Sequence, residues 1–232
     1  YSNREHKSRS TFMLSNKEGK EAYVEPVIES GGYHFSVKVG KPKDFKTAKK
    51  GTKLARGANF RCLMSDTPMA GDYIKAEGKA GRMGARLMAI VVEGERGHIY
   101  LSPSEAIESI ARSAKPEWKP EIPLAPDPRA LWTPAYGLTT FGDLFTPRQL
   151  VALTTFSDLV KEAREKVKRE ALRAKLVDDN KSFESGGNGA DAYADAVGVY
   201  LGLGVGRSAN YWSSLTPWGG DFIVQTFGRQ AI

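Results

Sequence analysis

Apolar positions follow two rhythms along this chain, a period of two in the first hundred residues and a period near 3.6 in the last hundred. Residues 11–14, 22–24, 27–28 and 33–39 are apolar or alternating, and residues 16–20 and 30–32 supply turns between them. The pattern predicts a small antiparallel meander with tyrosine, phenylalanine and valine on one face. Burial of Phe12, Tyr23, Val27, Phe35 and Val37 is expected to hold it. Pro26 puts the middle strand at an edge or a bulge. Gly40, Pro42, Gly51 and Gly57 break residues 40–60 into a loop. Residues 61–72 read as a turn and residues 73–84 as a charged, glycine-broken segment. Residues 86–92 and 98–101 flank a turn and predict a hairpin.

Ser102-Pro103-Ser104-Glu105 opens a helix, with Ser102 as N-cap, Pro103 at the first position and Glu105 three residues past the cap, running to about Ser113. Prolines 116, 120, 123, 126, 128 and 134 make residues 115–134 an extended surface linker, with Trp118 and Trp132 as its anchors. Thr146-Pro147-Arg148-Gln149 repeats the cap signature for a helix ending near Leu176. Its apolar stripe carries Leu150, Leu153, Val160, Ala163 and Val167, with Phe156 and Leu159 beside it; Arg164 and Lys168 fall on the polar face. After a polar, glycine-rich loop at 178–189, a second helix runs from about Ala190 through Leu203. It is apolar nearly all round, which predicts burial, and Gly198 and Gly202 would admit another backbone. The glycines at 202, 204 and 206 have no phosphate-loop spacing and read as a packing or turn feature.

A chain of 232 residues suffices for one large domain or two small ones, and 41% apolar content allows a packed core. No stretch approaches the ~20 apolar residues of a membrane span. The N-terminus has no apolar core of a signal peptide, and it lacks an initiator Met, as a fragment would. One cysteine, Cys62, excludes an intrachain disulfide and fits a reducing cytoplasm, the expected location. The net charge of +7 lies wholly in the first 60 residues, and from Lys38 to Arg56 eight basic residues face one acid, Asp44. Such a block attracts a polyanion by counterion release, or else is a solvated loop that aids solubility. Only Phe45 interleaves the lysines, so no aromatic array of a single-strand platform is visible.

Dinucleotide-binding, phosphate-loop and nucleophile-elbow motifs are absent. His6, His34 and His98 have no ligand spacing, and Asp143, Asp158, Asp191 and Asp195 read as helix-start or surface acids, so an independent enzyme is not expected.

Four stretches carry a resemblance. They are Lys-Ala-Gly-Arg-Met-Gly-Ala-Arg-Leu-Met-Ala at 79–89; Phe-Gly-Asp-Leu-Phe-Thr-Pro-Arg-Gln-Leu at 141–150 with Thr-Thr-Phe-Ser-Asp-Leu-Val at 154–160; Ala-Tyr-Ala-Asp-Ala-Val at 192–197; and residues 210–218 with Thr-Phe-Gly-Arg-Gln-Ala-Ile at 226–232. Together they resemble the central region of prokaryotic adenine-specific DNA methylases described as containing a Zn ribbon. The resemblance places a Phe-x-Gly-x-Gly cofactor motif upstream and an Asp-Pro-Pro-Tyr catalytic motif downstream, and this chain has neither. It implies a target-recognition insert of an S-adenosylmethionine-dependent DNA adenine N6-methyltransferase of a restriction-modification or phage-defence system. No cofactor is expected in this chain, which should be inactive alone; S-adenosylmethionine is implied for the parent enzyme. A ribbon needs two Cys pairs. The first falls at Ser8, Arg9 and Ser10 and the second at Cys62-Leu63-Met64-Ser65, so the ribbon is expected to be degenerate and metal-free.

The resulting expectation is an α+β chain: a β-rich, basic, ribbon-like subdomain at 1–101, a helix and Pro-rich linker at 102–134, and a helical region at 135–232 that packs on the missing methyltransferase core. DNA is the expected partner, along with the remaining methyltransferase domains or a partner subunit, and no membrane. The candidate DNA contacts are Lys38, Lys41, Lys43, Lys46, Lys49, Lys50, Lys53 and Arg56, then Lys75, Lys79, Arg82 and Arg86. For the last two, ion pairing with Glu77, Glu93 or Glu95 is the equally open alternative. Arg148, at a helix start, meets a phosphate, a cofactor carboxylate or its own domain. The other class of function left open is a structural or protein-interaction module.

Overall fold

The computed structural model describes residues 10–29, 31–127 and 132–227. The chain is mixed α/β, with antiparallel strands first and helices after. Contacts divide it into two units. Unit 1 takes the chain up to Ser113 with Ile122–Phe141 and Trp218–Ile223; unit 2 takes Ala114–Glu121, Gly142–Pro217 and the residues from Val224 on. No described helix is long and apolar enough to cross a membrane.

Unit 1 is built on the expected meander of β1 (Phe12–Ser15), β2 (Ala22–Glu29) and β3 (Gly32–Val39), in that spatial order. Val24 lies opposite both Phe12 and Val37, and Pro26 opposite Phe35. Leu14, Ala22, Val24 and Phe35 are buried, with Phe12, Tyr33, Val37 and Tyr100 packed against them. The expected core therefore needs a correction. Phe12, Phe35 and Val37 do face inward, but on β2 the inner residues are Ala22, Val24 and Pro26, while Tyr23 and Val27 take the opposite face. Side chains alternate along a strand, so a one-residue error in phase exchanges the two faces. Pairing with β1 ends at Val24, so Pro26 lies where β2 has a free edge, and the register irregularity falls in β1, between Met13 and Ser15.

Residues 40–60 are not simply a loop: Phe45–Lys50 form α1. Beyond it, the expected turn holds a two-residue hairpin, β4 (Phe60–Arg61) with β5 (Pro68–Met69). The glycine-broken segment contains a second helix, α2 (Gly71–Lys79). Its Gly78 is required by packing, because a Cβ there would collide with the backbone of Tyr136. β6 (Ile90–Gly94) and β7 (Gly97–Leu101) form the predicted hairpin, with Gly97 in the left-handed region at φ 118°.

The helix α3 (Glu105–Ser113) starts two residues later than predicted: the Ser104 hydroxyl accepts from the Ile107 amide and takes the cap role. Ser102 instead accepts from the Val37 amide at 2.9 Å and ties this segment to β3. In the Pro-rich stretch, Trp118 and Trp132 are exposed and anchor nothing; Leu124, 5% exposed and bonded to Thr139, does so.

Unit 2 is centred on α4 (Pro147–Arg173) and α5 (Ala190–Ala209), which pack side by side. α4 opens with the predicted capping box of Thr146 and Gln149. Arg164 and Lys168, expected on the solvent face, turn toward α5. Arg164 binds Asp195 at 2.6 Å and Lys168 binds Asp191 at 2.7 Å. The expected burial of α5 is overturned: only Ala190, Ala192 and Ala194 are buried, while Val199, Tyr200 and Leu203 are exposed. Gly202, Gly204 and Gly206 lie within this helix and meet open space.

Asp195 also accepts from the Phe183 amide at 3.0 Å, and that bond and Arg164 hold its carboxyl below the usual carboxylate range. Its stabilisation is complete above the unfolded pKa, about 4, and fades as pH falls through the lower folded value. Asp195→Ala is expected to cost about 1–2 kcal/mol at pH 7, the low end for bonds to a charge because the site is partly exposed. In thermal melts the gap between wild type and variant should narrow on acidification toward pH 3; a gap independent of pH counts against this role.

Candidate nucleic-acid interface

The single acid of the basic block makes its helix. Asp44, with extended backbone, accepts from the Thr47 amide at 3.0 Å and the Thr47 hydroxyl at 2.6 Å. These bonds, the hydroxyl's foremost, hold the Asp44 carboxyl below its ordinary range. Ala48 is the one buried residue of α1, and Lys49 and Lys50 sit at its C-terminal end, where the helix dipole favours cations. Gly51 ends the helix at φ 59°, and a Cβ there would come within 2.9 Å of the Phe12 ring.

All twelve predicted contact residues belong to unit 1, but they differ in what they are free to do. Lys41 pairs with Glu21, Lys75 with Asp72, and Arg82 grips Glu77 through two bonds of 2.8 and 2.7 Å. Arg86 binds Glu108 at 2.8 Å, donates to the Tyr33 carbonyl and stacks on the Tyr33 ring. For Arg82 and Arg86 ion pairing is thus the geometry found, with Glu108 the acid that serves Arg86. Lys38, Lys43, Lys46, Lys49, Lys50, Lys53, Arg56 and Lys79 form no ion pair among the described residues. Lys53 lies over the Phe60 ring, 5.6 Å from its centre. The free cations therefore concentrate on α1 and its flanks. Arg148 also makes no ion pair among the described residues.

A cavity of about 520 Å³ adjoins α1. Phe12, Phe45, Phe60 and Trp218 supply aromatic walls, and Lys49, Lys50 and Lys53 line it as well. The Trp218 wall is set by bonding: its indole N–H donates to the Leu14 carbonyl at 2.6 Å, and the Asn16 amide donates to the Gly220 carbonyl. Asp221 reinforces this segment by accepting from the Tyr100 hydroxyl at 2.8 Å and facing His98 at 3.2 Å. Sequence reasoning saw only Phe45 among the lysines. The other three rings come from positions as far apart as 12 and 218, and no local pattern announces such a convergence.

A second cavity of about 500 Å³ shares Phe12 and Phe60 and is lined by Cys62, Arg82 and Glu77. The Ser65 hydroxyl and then its amide hold the Cys62 thiol below its ordinary pKa. One soft donor does not meet the four-ligand need of a structural zinc, and among the described residues no group of three or more His, Cys, Asp or Glu could hold a metal. Ser8 and Arg9, in the place of the first Cys pair, lie outside the described residues, as do His6 and positions 228–232 of the last resemblance stretch. Among the described residues neither of these two cavities offers a carboxylate free to grip ribose hydroxyls, since Glu77 is committed to Arg82.

Comparison with protein-family models, with curated proteins and with solved structures finds no match for the chain. The functional argument rests on the residues themselves.

If Asp44 sets α1, Asp44→Ala should abolish the helix without unfolding the sheet. Hydrogen exchange at the Ala48 and Gly51 amides, which donate to the Asp44 and Thr47 carbonyls, should then accelerate while β2–β3 amides keep their protection. Unaltered exchange at those two positions contradicts the assignment.

Proposed function

We propose that this chain is the central, target-recognition segment of an S-adenosylmethionine-dependent DNA adenine N6-methyltransferase of a restriction-modification or phage-defence system, and that unit 1 contacts DNA. The observation that carries DNA contact is the set of ion-pair-free cations on and around the Asp44-capped helix α1. The adenine-methylase context rests on the resemblance of residues 79–89, 141–160, 192–197 and 210–232. On this reading the cofactor and the catalytic clamp belong to segments that carry the cofactor and Asp-Pro-Pro-Tyr motifs, and the β4–β5 turn with Cys62 and Ser65 is a ribbon knuckle that has lost its metal. The protein acts in the cytoplasm, consistent with its free thiol.

One observation favours a second role for unit 2, a structural or protein-interaction module. Tyr200 is 76% exposed and Leu203 66%, on a helix whose glycines leave its outer side open. The remaining methyltransferase domains or a partner subunit would cover it. The two roles are compatible because they fall on different units.

DNA contact is tested by a salt titration of duplex binding. Affinity should fall linearly on a log–log plot, and Lys49→Ala with Lys50→Ala should reduce the slope by roughly 2 units, about one per lost phosphate contact. Lys75→Ala, which removes a cation already paired to Asp72, should change it little. A chain with no affinity for duplex at low salt ends the proposal.

A further inference from the structure

We infer that the cavity beside α1 receives a single unpaired base of a DNA strand, an inference that rests on the proposed DNA contact and specifies what unit 1 holds. Four aromatic side chains from four separate segments meet at one hollow, a convergence that apolar packing alone does not require. Two of them remain available. Phe45 is 42% exposed and Trp218 37%, and among the described residues neither ring is engaged by another ring or by a cation. Every base has a π face, so stacking on such rings captures it whatever its identity.

The surroundings select a nucleotide over a purely apolar ligand. Lys49 and Lys50, free of ion pairs, line the same hollow and are placed to meet the phosphates on either side of a stacked base. The carboxamide of Asn16, also in the lining, makes no hydrogen bond among the described residues. It carries two donors and an acceptor, the complement of a base edge. Among the described residues no carboxylate lines the cavity to repel a phosphate. At about 520 Å³ it lies within the ordinary range of small-ligand pockets, roughly 300–1,000 Å³. Within a duplex both faces of a base are stacked on its neighbours and its edge is paired, so the occupant must have left the stack or lie in a single strand.

The test uses the full chain and two fluorescein-labelled duplexes of one sequence, fully paired or carrying one unpaired adenine, read by anisotropy at fixed salt. The unpaired-adenine duplex should bind on the order of tenfold tighter, the scale of one base–aromatic stack. Phe45→Ala should bring the ratio of the two dissociation constants to about one, and Phe45→Tyr, which keeps the ring, should preserve it. Equal binding of both duplexes by the wild type overturns the pocket while leaving DNA contact intact. A Phe45→Ala chain that weakens toward both duplexes in proportion also overturns it, because the ring then serves only to hold α1. Binding of neither duplex overturns both readings.

Discussion

The Phe12 ring is the contact on which unit 1 turns. It meets Phe35 edge to face, with centres 6.4 Å apart and planes at 84°, and so joins the short strand β1 to the core face of β3. On its other side the chain passes at Gly51, where nothing larger than hydrogen fits. That one close approach fixes where α1 ends against β1, and Phe12 then lines the hollow on each side. A strand with only three paired positions is a weak platform by hydrogen bonding alone. Burial of its aromatic residue, edge-to-face geometry and the glycine beside it supply the rest.

The second constraint is electrostatic, and it separates surplus charge from spent charge. Several carboxylates are committed to close pairs: Glu21 to Lys41, Glu77 to Arg82, Glu108 to Arg86 and Arg112, Asp191 and Asp195 to Lys168 and Arg164. Asp44 is spent on a helix cap, so it neutralises none of the lysines around it through a close pair. A helix terminus is thereby satisfied by the one acid that lies within the Lys38–Arg56 block. This arrangement favours a ligand that brings its own negative charge over the bland alternative of a loop kept basic for solubility, since a mobile loop needs neither a cap nor a docked Ala48.

Much of the scaffold was legible because its signals are local. Period-two runs marked β2 and β3, and the Thr146–Gln149 capping box marked the start of α4. What failed was non-local or depended on phase. Tyr23 and Val27 were placed on the wrong face because an eight-residue run apolar at both parities does not show which parity faces inward. Six residues were too few for a helical period, and the flanking Gly and Pro masked α1. Ser102 and Ser104 both suit a cap, and only the position of the Val37 amide decides between them. Arg164 and Lys168 looked solvated because their partners on α5 lie 23 to 31 residues away across a loop. Of the candidate interface, the cations were readable from composition, but which of them were already paired was not.

The β4–β5 turn is held by hydrogen bonds close to its own tip. The Cys62 amide donates to the Thr67 carbonyl at 2.9 Å, the Asp66 amide returns to the Cys62 carbonyl at 3.0 Å, and Arg61 reaches the Asp66 carboxylate at 3.1 Å. Asp66 sits at φ 60°, a conformation that Asp tolerates better than most side chains, so the bend needs no glycine. The Ser65 hydroxyl donates to Thr67 Oγ1 at 2.9 Å and accepts from the Thr67 amide. Burial holds the turn as well, since Leu63, one residue past Cys62, packs on the same cluster that holds Val24 and Phe35. The hairpin then presents Phe60 to both hollows.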